Sequence, residues 1–363
     1  MIPKKCLLLD NYVNKNKHLN EYCTFTITLI KVKLLNNNYN TQSLFLWSNR
    51  GVRLSTLFKK LKKAPAGINL GISLETDRVS VCVTEPGPDG LVVSHCVTVQ
   101  GTQSRAQLLK QLIEDHSIPK VPVNIALSVE DRRIYQLVRP KVDASEMCQS
   151  VIWLLKDRLD CSTEEALVEV VDYPTGCQLD DKIMVIQTTQ KKVQQLVDVV
   201  TEAGLEIKSI DMTSLLMGDI LQKYPGIEQG IALVLDHEEG ATLIVYRGEY
   251  LYLIRKLSGI RDFISCLPVE GNVMKADQLL LEIQRTLDYY DAQMRQPPLA
   301  RILLAPSFAD ISPLADYLNQ NLAIPVECLD INQLLNLPEP LAPAEQQDCL
   351  PACAAAFRQE SDR

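Results

Sequence analysis

Residues 67–85 read GINLGISLETDRVSVCVTE, two runs of alternating apolar residues around a short polar turn, with glycines at the head of the first run. A hairpin of this kind can close around the phosphates of a nucleotide, because glycine lets backbone N–H groups approach phosphate oxygens closely. The same pattern also describes an ordinary hairpin, and at this point both readings stand. Other chemistry finds less support. The chain contains no GxxxxGK[ST] phosphate loop, no HExxH and no GxSxG. Asp180–Asp181 is an acidic pair in a turn, not a spaced acid/base couple. Asp211 as a base for an attacking water has a plain rival, the N-terminus of a helix before Ser214. Tyr250–Lys256, YLYLIRK, sets tyrosines beside basic residues but alternates as a strand does.

The eleven cysteines are scattered without a CxxC; Cys349 and Cys353 are the tightest pair, and the four histidines lie far apart. No metal-ligand spacing is visible, so no metal is expected, and an odd thiol count without a framework suits a reducing cytosolic compartment. Cys82, Cys96 and Cys266 sit in apolar runs, where a thiol packs as a small core residue.

The elements that must position any site come next. The 363 residues suffice for two domains, and no run of about 18 apolar residues escapes a charge, so no transmembrane helix is evident. Residues 1–63 carry a net charge of +10 and the remainder −18. An acidic body of that size repels nucleic acid, which is excluded as a partner. Residues 1–51 are Asn-rich, including NNNYN at 36–40. They read either as a flexible polar arm or as upstream sequence ahead of a true start near Val52, and the second is preferred. Arg53–Lys63 places Leu54, Leu57, Phe58 and Leu61 on one helical face with lysines opposite. Such a helix can lie on an anionic membrane surface or dock on its own domain.

Ile68–Leu74, Val79–Glu85 and Leu91–Val99 predict three strands, followed by a helix at Ser104–His116 and a strand at Val123–Ser128. Ile231–Asp236, Ala241–Tyr246 and Tyr250–Leu257 repeat the meander, followed by a helix at Ala276–Gln296, a strand at Arg301–Leu304, a helix at Ile311–Asn321 and a strand at Pro325–Leu329. Two meanders, each with its helix and strand, predict a duplicated α/β architecture. Between them, Arg133–Val138, Ala144–Leu159, Ala166–Tyr173, Lys182–Gln187, Gln190–Ala203 and Glu206–Ile210 run strand–helix–strand–strand–helix–strand. That order is a split βαβ arrangement, expected of a small inserted subdomain. Met212–Lys223 predicts a further helix. Trp153, among Val151, Ile152, Leu154 and Leu155, is expected in the core.

Several stretches carry a resemblance: LFKKLKKAPAGINLGI before and into the first hairpin, RPKVDASEMCQSVIWLLKDRL at the start of the insertion, VDVVTEAGLEIKSIDMTSLLMGDIL at its end, LEIQRTLDYYDAQ in the second half, and PACAAAFRQ, a terminal helix at Pro351–Gln359. In order and spacing they resemble the PilM-type actin-like proteins of type IV pilus assembly, most closely the MshI-like members of the MSHA pilus system. The resemblance runs from about Leu57 to Arg358. It implies an α/β, actin-like (ribonuclease H-like) two-lobed ATPase fold with an inserted split-βαβ subdomain. The first lobe would comprise 65–132 and 205–226, rejoined by 350–360, with the insertion at 133–204 and the second lobe at 227–340. It also implies a place at the cytoplasmic face of the bacterial inner membrane. There the protein would bind the cytoplasmic tail of a single-span inner-membrane pilus assembly protein and meet other subunits of the machinery. The groove is sought within Val138–Trp153 and Lys182–Thr188.

Members of that group bind ATP between the lobes, and the resemblance assigns cofactor contacts to Asn69, Gly71, Ser73, Asp236, Gly240, Glu282 and Arg285. The chain departs from the pattern. Asn69 replaces a metal-orienting carboxylate, Ile72 displaces a small hydroxyl, and Glu238 and Glu239 stand in the second turn, where like charge repels phosphate. Ala305, Pro306 and Ser307 replace a Gly–Gly loop, and proline has no N–H to donate. Glu282 and Arg285 are read as i, i+3 neighbours on an exposed helix face. The expectation is a non-catalytic adaptor that requires no cofactor, with ATP and Mg²⁺ binding weak or lost. The alternative is a nucleotide-regulated ATP-binding protein or ATPase of the same fold. A small-molecule kinase of this superfamily lacks a visible substrate base.

Overall fold

Alternation sets the first sheet. Leu70, Ile72 and Leu74 on β1 (Asn69–Leu74) and Val79, Val81 and Val83 on β2 (Arg78–Gly87) bury one face against Leu108, Leu109 and Leu112. β3 (Gly90–Gln100) completes an antiparallel meander. Helix α1 (Arg105–Asp115) opens with a reciprocal cap: the Ser104 hydroxyl accepts the Gln107 N–H, and the Gln107 side chain accepts the Ser104 N–H. β4 (Val123–Leu127) then pairs in parallel with β1. The computed structural model describes residues 67–358 except 89, 130, 180, 238, 239 and 270–272. The readings made for residues 1–51, Arg53–Lys63, Asp180, Glu238 and Glu239 therefore lie outside the described residues.

The insertion begins with β5 (Arg133–Val138), α2 (Ala144–Leu155), β6 (Ala166–Asp172) and β7 (Lys182–Thr189). β7 lies between β5 and β6 and is antiparallel to both, so β5–α2–β6 is a split βαβ unit. Its own small core gathers Met147, Val151 and Leu155 against Val168, Ile183 and Val185. With that face of α2 turned inward, Trp153 points outward and is 59% exposed. The expectation of a core tryptophan fails because the 3.6-residue period, not the apolar neighbourhood, decides which side chains are covered.

α3 (Gln190–Glu202) and β8 (Ile207–Met212) read in sequence as the last pieces of the split βαβ rhythm. Val193, Leu196 and Val200 of α3 instead join the core of the first sheet, and β8, within the 205–226 segment expected to return to the first lobe, pairs in parallel with β4. That sheet runs β3-β2-β1-β4-β8. After α4 (Thr213–Leu221) come β9 (Ile231–His237), β10 (Gly240–Arg247) and β11 (Tyr250–Leu257). They are followed by α5 (Met274–Ala292), β12 (Arg301–Leu304), α6 (Ser312–Asn321) and β13 (Val326–Cys328). The second sheet runs β11-β10-β9-β12-β13, the same order as the first. The architecture is therefore duplicated strand for strand.

The chain closes with α7 (Ile331–Leu335) and α8 (Pro343–Ala356). α8 begins well before the expected Pro351, which lies inside the helix. Proline costs a helix interior about 3 kcal/mol, but here Cys349, Leu350 and the run Ala352–Phe357 are all buried by the helical course. A continuous core joins α8 to Leu216, Met217 and Ile220 of α4, to Cys82 and Ala126 of the first sheet, and to Leu233, Ile244 and Leu303 of the second. The Tyr246 hydroxyl donates to the carbonyls of Ser214 (2.9 Å) and Leu215 (3.1 Å), tying β10 to α4. Among the described residues, no helix is long and apolar enough to cross a membrane.

Candidate interlobe site

The residues proposed from the first hairpin lie within β1 itself. Gly71 is paired with Cys82 on one side and Asn124 on the other, not in a turn. Its missing side chain is a packing requirement: a Cβ there would lie 2.1 Å from the Ala352 carbonyl oxygen and 2.3 Å from the Ala356 nitrogen. α8 therefore occupies the face that carries Asn69, Gly71 and Ser73. The Thr84 hydroxyl donates to the Ala356 carbonyl (3.1 Å), and Arg78 Nη1 meets Asp348 (2.5 Å), fixing the helix along the sheet. Ser73 is buried, and its hydroxyl donates to Glu75 at 3.4 Å. Asn69 is half-buried and pairs with Thr84.

In the second sheet, Asp236 lies next to the end of β9 and accepts the Phe263 N–H (3.2 Å) and the Ser307 hydroxyl (3.4 Å) on one carboxylate oxygen. Gly240 opens β10 at φ +126°, and a Cβ there would lie 2.6 Å from the Ile260 carbonyl oxygen. Only glycine meets both demands. Glu282 is buried, contrary to the exposed face read from the sequence; it accepts the Ser258 N–H at 3.3 Å and lies 3.6 Å from Arg255. Exposed Arg285 donates to it at 2.8 Å. The segment from Ser258 to Phe263 thus runs past Glu282, Gly240 and Asp236 in turn, donating backbone N–H groups to both carboxylates and crowding Gly240.

The two groups stay on their own sheets. A further contact that sequence reasoning missed links the two halves: the Arg78 guanidinium sits 5.4 Å from the centre of the Phe308 ring, just beyond β12. A cation over an aromatic face is attractive, and here it spans from the first lobe to the second. No local pattern announces the pair, because most of the described chain separates its members. Asp211 is likewise neither helix cap nor free base. Its carboxylate meets Arg358 Nε at 2.5 Å, with both side chains buried.

No protein-family model matches the chain, and no curated protein sequence matches it. Solved structures do. One titled as a PilM–PilN type IV pilus biogenesis complex aligns at 17% identity over 80% of this chain and 96% of that one, with a TM-score of 0.59. The chain has an actin-like ATPase fold. Weaker likenesses include the cytoplasmic domain of EpsL, an inner-membrane component of the type II secretion system of Vibrio cholerae (12% identity, 81% and 97% covered, TM-score 0.46). A protein of Bacteroides thetaiotaomicron described as having an actin-like ATPase fold and unknown function aligns at 12% identity, with 74% and 95% covered and a TM-score of 0.44.

In an actin-like frame the β1–β2 and β9–β10 hairpins face the cleft, so their residues can be tested for ATP. A phosphate cradle needs small residues that leave backbone N–H groups open to the ligand. Here α8 fills the space at Gly71, and the Ile260 carbonyl crowds Gly240. Asn69 brings no negative charge for Mg²⁺, and Pro306 brings no N–H. These residues do not fit Mg-ATP held in the manner the resemblance implies.

Asp236 has a different consequence. Burial pushes its carboxyl up to about 6, with the Phe263 N–H opposing and Asp262 adding to the rise. In the unfolded chain an aspartate titrates near about 3.9. Between these values the native state holds the proton that the unfolded state has lost, so this group's stabilisation is full below about pH 4 and falls as pH rises through about 6. Asp236→Asn is expected to flatten that part of the profile. Urea midpoints taken across this interval check it, and an unchanged slope contradicts it.

Proposed function

We propose that this protein is an actin-like adaptor of a type IV pilus assembly machine of the MSHA kind, working at the cytoplasmic face of the inner membrane. It holds the cytoplasmic tail of a single-span inner-membrane protein and requires no nucleotide to do so. The observation that carries this reading is the likeness, over 80% of this chain and 96% of the other, to a chain from a structure titled as a PilM–PilN type IV pilus biogenesis complex. The surface supports it: Trp153 and Leu154, at the end of α2, are 59% and 58% exposed, an unusual cost for large apolar side chains unless a partner covers them. β5 is an edge strand of the same small sheet, with no further strand paired to it among the described residues, and an extended peptide added there would gain backbone hydrogen bonds.

The test uses the full chain and a synthetic peptide of the N-terminal tail of the single-span membrane protein encoded beside it. Binding is expected, and Trp153→Asp with Leu154→Asp should weaken it more than about tenfold, as loss of a buried anchor does at about 1.4 kcal/mol per decade. Because both side chains are exposed, the urea midpoint should barely move. Absence of peptide binding by the unaltered protein would remove the reading.

A further inference from the structure

The sequence shows four isolated cysteines at 82, 96, 349 and 353, and the fold gathers them at one place. Cys82 and Cys96 are directly opposed on β2 and β3 and so share a face of the sheet. Cys349 and Cys353 are one helical turn apart on α8, the helix that covers that face. The sulfurs of Cys82, Cys96 and Cys353 all lie within 4.8 Å of one another, with Cys96 and Cys353 at 3.4 Å. The Cys349 sulfur is 3.3 Å from the Thr98 hydroxyl and adjoins the Cys96 thiol. Cys82, Cys349 and Cys353 are buried, and half-buried Cys96 leaves a route from solvent.

The geometry points to a structural zinc site built by Cys82, Cys96, Cys349 and Cys353, which staples the C-terminal helix to the first sheet. An all-thiolate donor set selects zinc or copper(I) over harder cations. Four thiols, not two or three, favour the closed tetrahedral arrangement of structural zinc. Zinc–sulfur bonds of about 2.3 Å place tetrahedral sulfurs about 3.8 Å apart; the three clustered thiols already lie within 4.8 Å of one another, and Cys349, beside Cys96, would complete the set. As zinc enters, the four thiol protons pass to solvent, so binding weakens at low pH. Packing alone asks only for small apolar side chains beneath an alanine-rich helix, which alanine or valine supplies without a thiol.

The experiment uses the full chain purified under reducing conditions. Native mass spectrometry is expected to find one zinc per chain, a chelator to lower the melting temperature and added zinc to restore it. Cobalt(II) in place of zinc should show thiolate charge-transfer absorption. Cys96→Ser and Cys353→Ser should each abolish metal retention, whereas Cys266→Ser, at a buried cysteine outside the cluster, should retain it. A metal-free protein whose melting temperature ignores added zinc overturns the inference. So does a preference for copper(I), or a disulfide within the cluster in place of metal.

Discussion

Gly71→Ala is expected to lower stability by about 3 kcal/mol or more, at the upper end of what overpacking costs. The reason is what the new methyl group meets. The Ala352 oxygen and the Ala356 nitrogen are helix backbone, 2.1 and 2.3 Å from the added carbon, and neither can rotate away. α8 must lift from the sheet, and the Thr84–Ala356 hydrogen bond and the Arg78–Asp348 pair loosen with it. A fall in urea midpoint, together with faster hydrogen exchange in α8, checks the prediction. A variant as stable as the unaltered protein would show that Gly71 does not seat the helix.

Asp211→Ala is expected to cost about 3–5 kcal/mol, the range found when one member of a buried ion pair is removed. The two side chains are 4% and 5% exposed, so the Arg358 guanidinium would be left in a dry site without its 2.5 Å partner. Against a whole-domain stability of about 5–15 kcal/mol, that loss is large. It also has a place in the architecture: Arg358 follows α8, and Asp211 lies on β8 at the far side of the same sheet from β3. The pair locks the chain just past the helix, as Gly71 seats its last turns. Denaturant unfolding of the single variants and of Asp211→Ala with Arg358→Ala together checks this. Each single change should cost more than half of the double, because both single variants strand a charge; simple additivity would contradict the coupling.

The frame of the molecule was legible in the sequence for a physical reason. Period-2 alternation at Leu70–Leu74 and Val79–Val83, and the continuous apolar run Ile231–Leu235, are local information, and two meanders in the same order imply the duplication that the two identically ordered sheets display. Helix starts were legible where side chains cap them, as at Ser104. What escaped depends on residues far apart in the chain. Gly71 read as a candidate phosphate contact because its partner, α8, lies at the other end of the described chain. Glu282 read as solvated because the loop at Ser258 that buries it carries no pattern of its own. The four cysteines read as unrelated because their relation is a strand pair covered by a helix turn. Trp153 is a different failure: apolar neighbours in sequence are not neighbours on a helix, and the spacing of Met147, Val151 and Leu155 already held the better answer.

The departures at Asn69 and Pro306, and the backbone packed against the retained Gly71 and Gly240, lead us to propose that the hairpins of this actin-like frame hold no nucleotide. Calorimetric titration of the full chain with Mg-ATP tests that claim most directly. The account predicts no saturable heat up to millimolar nucleotide, with unchanged affinity for the membrane-protein tail peptide when Mg-ATP is present. Saturable binding at micromolar Mg-ATP would contradict it.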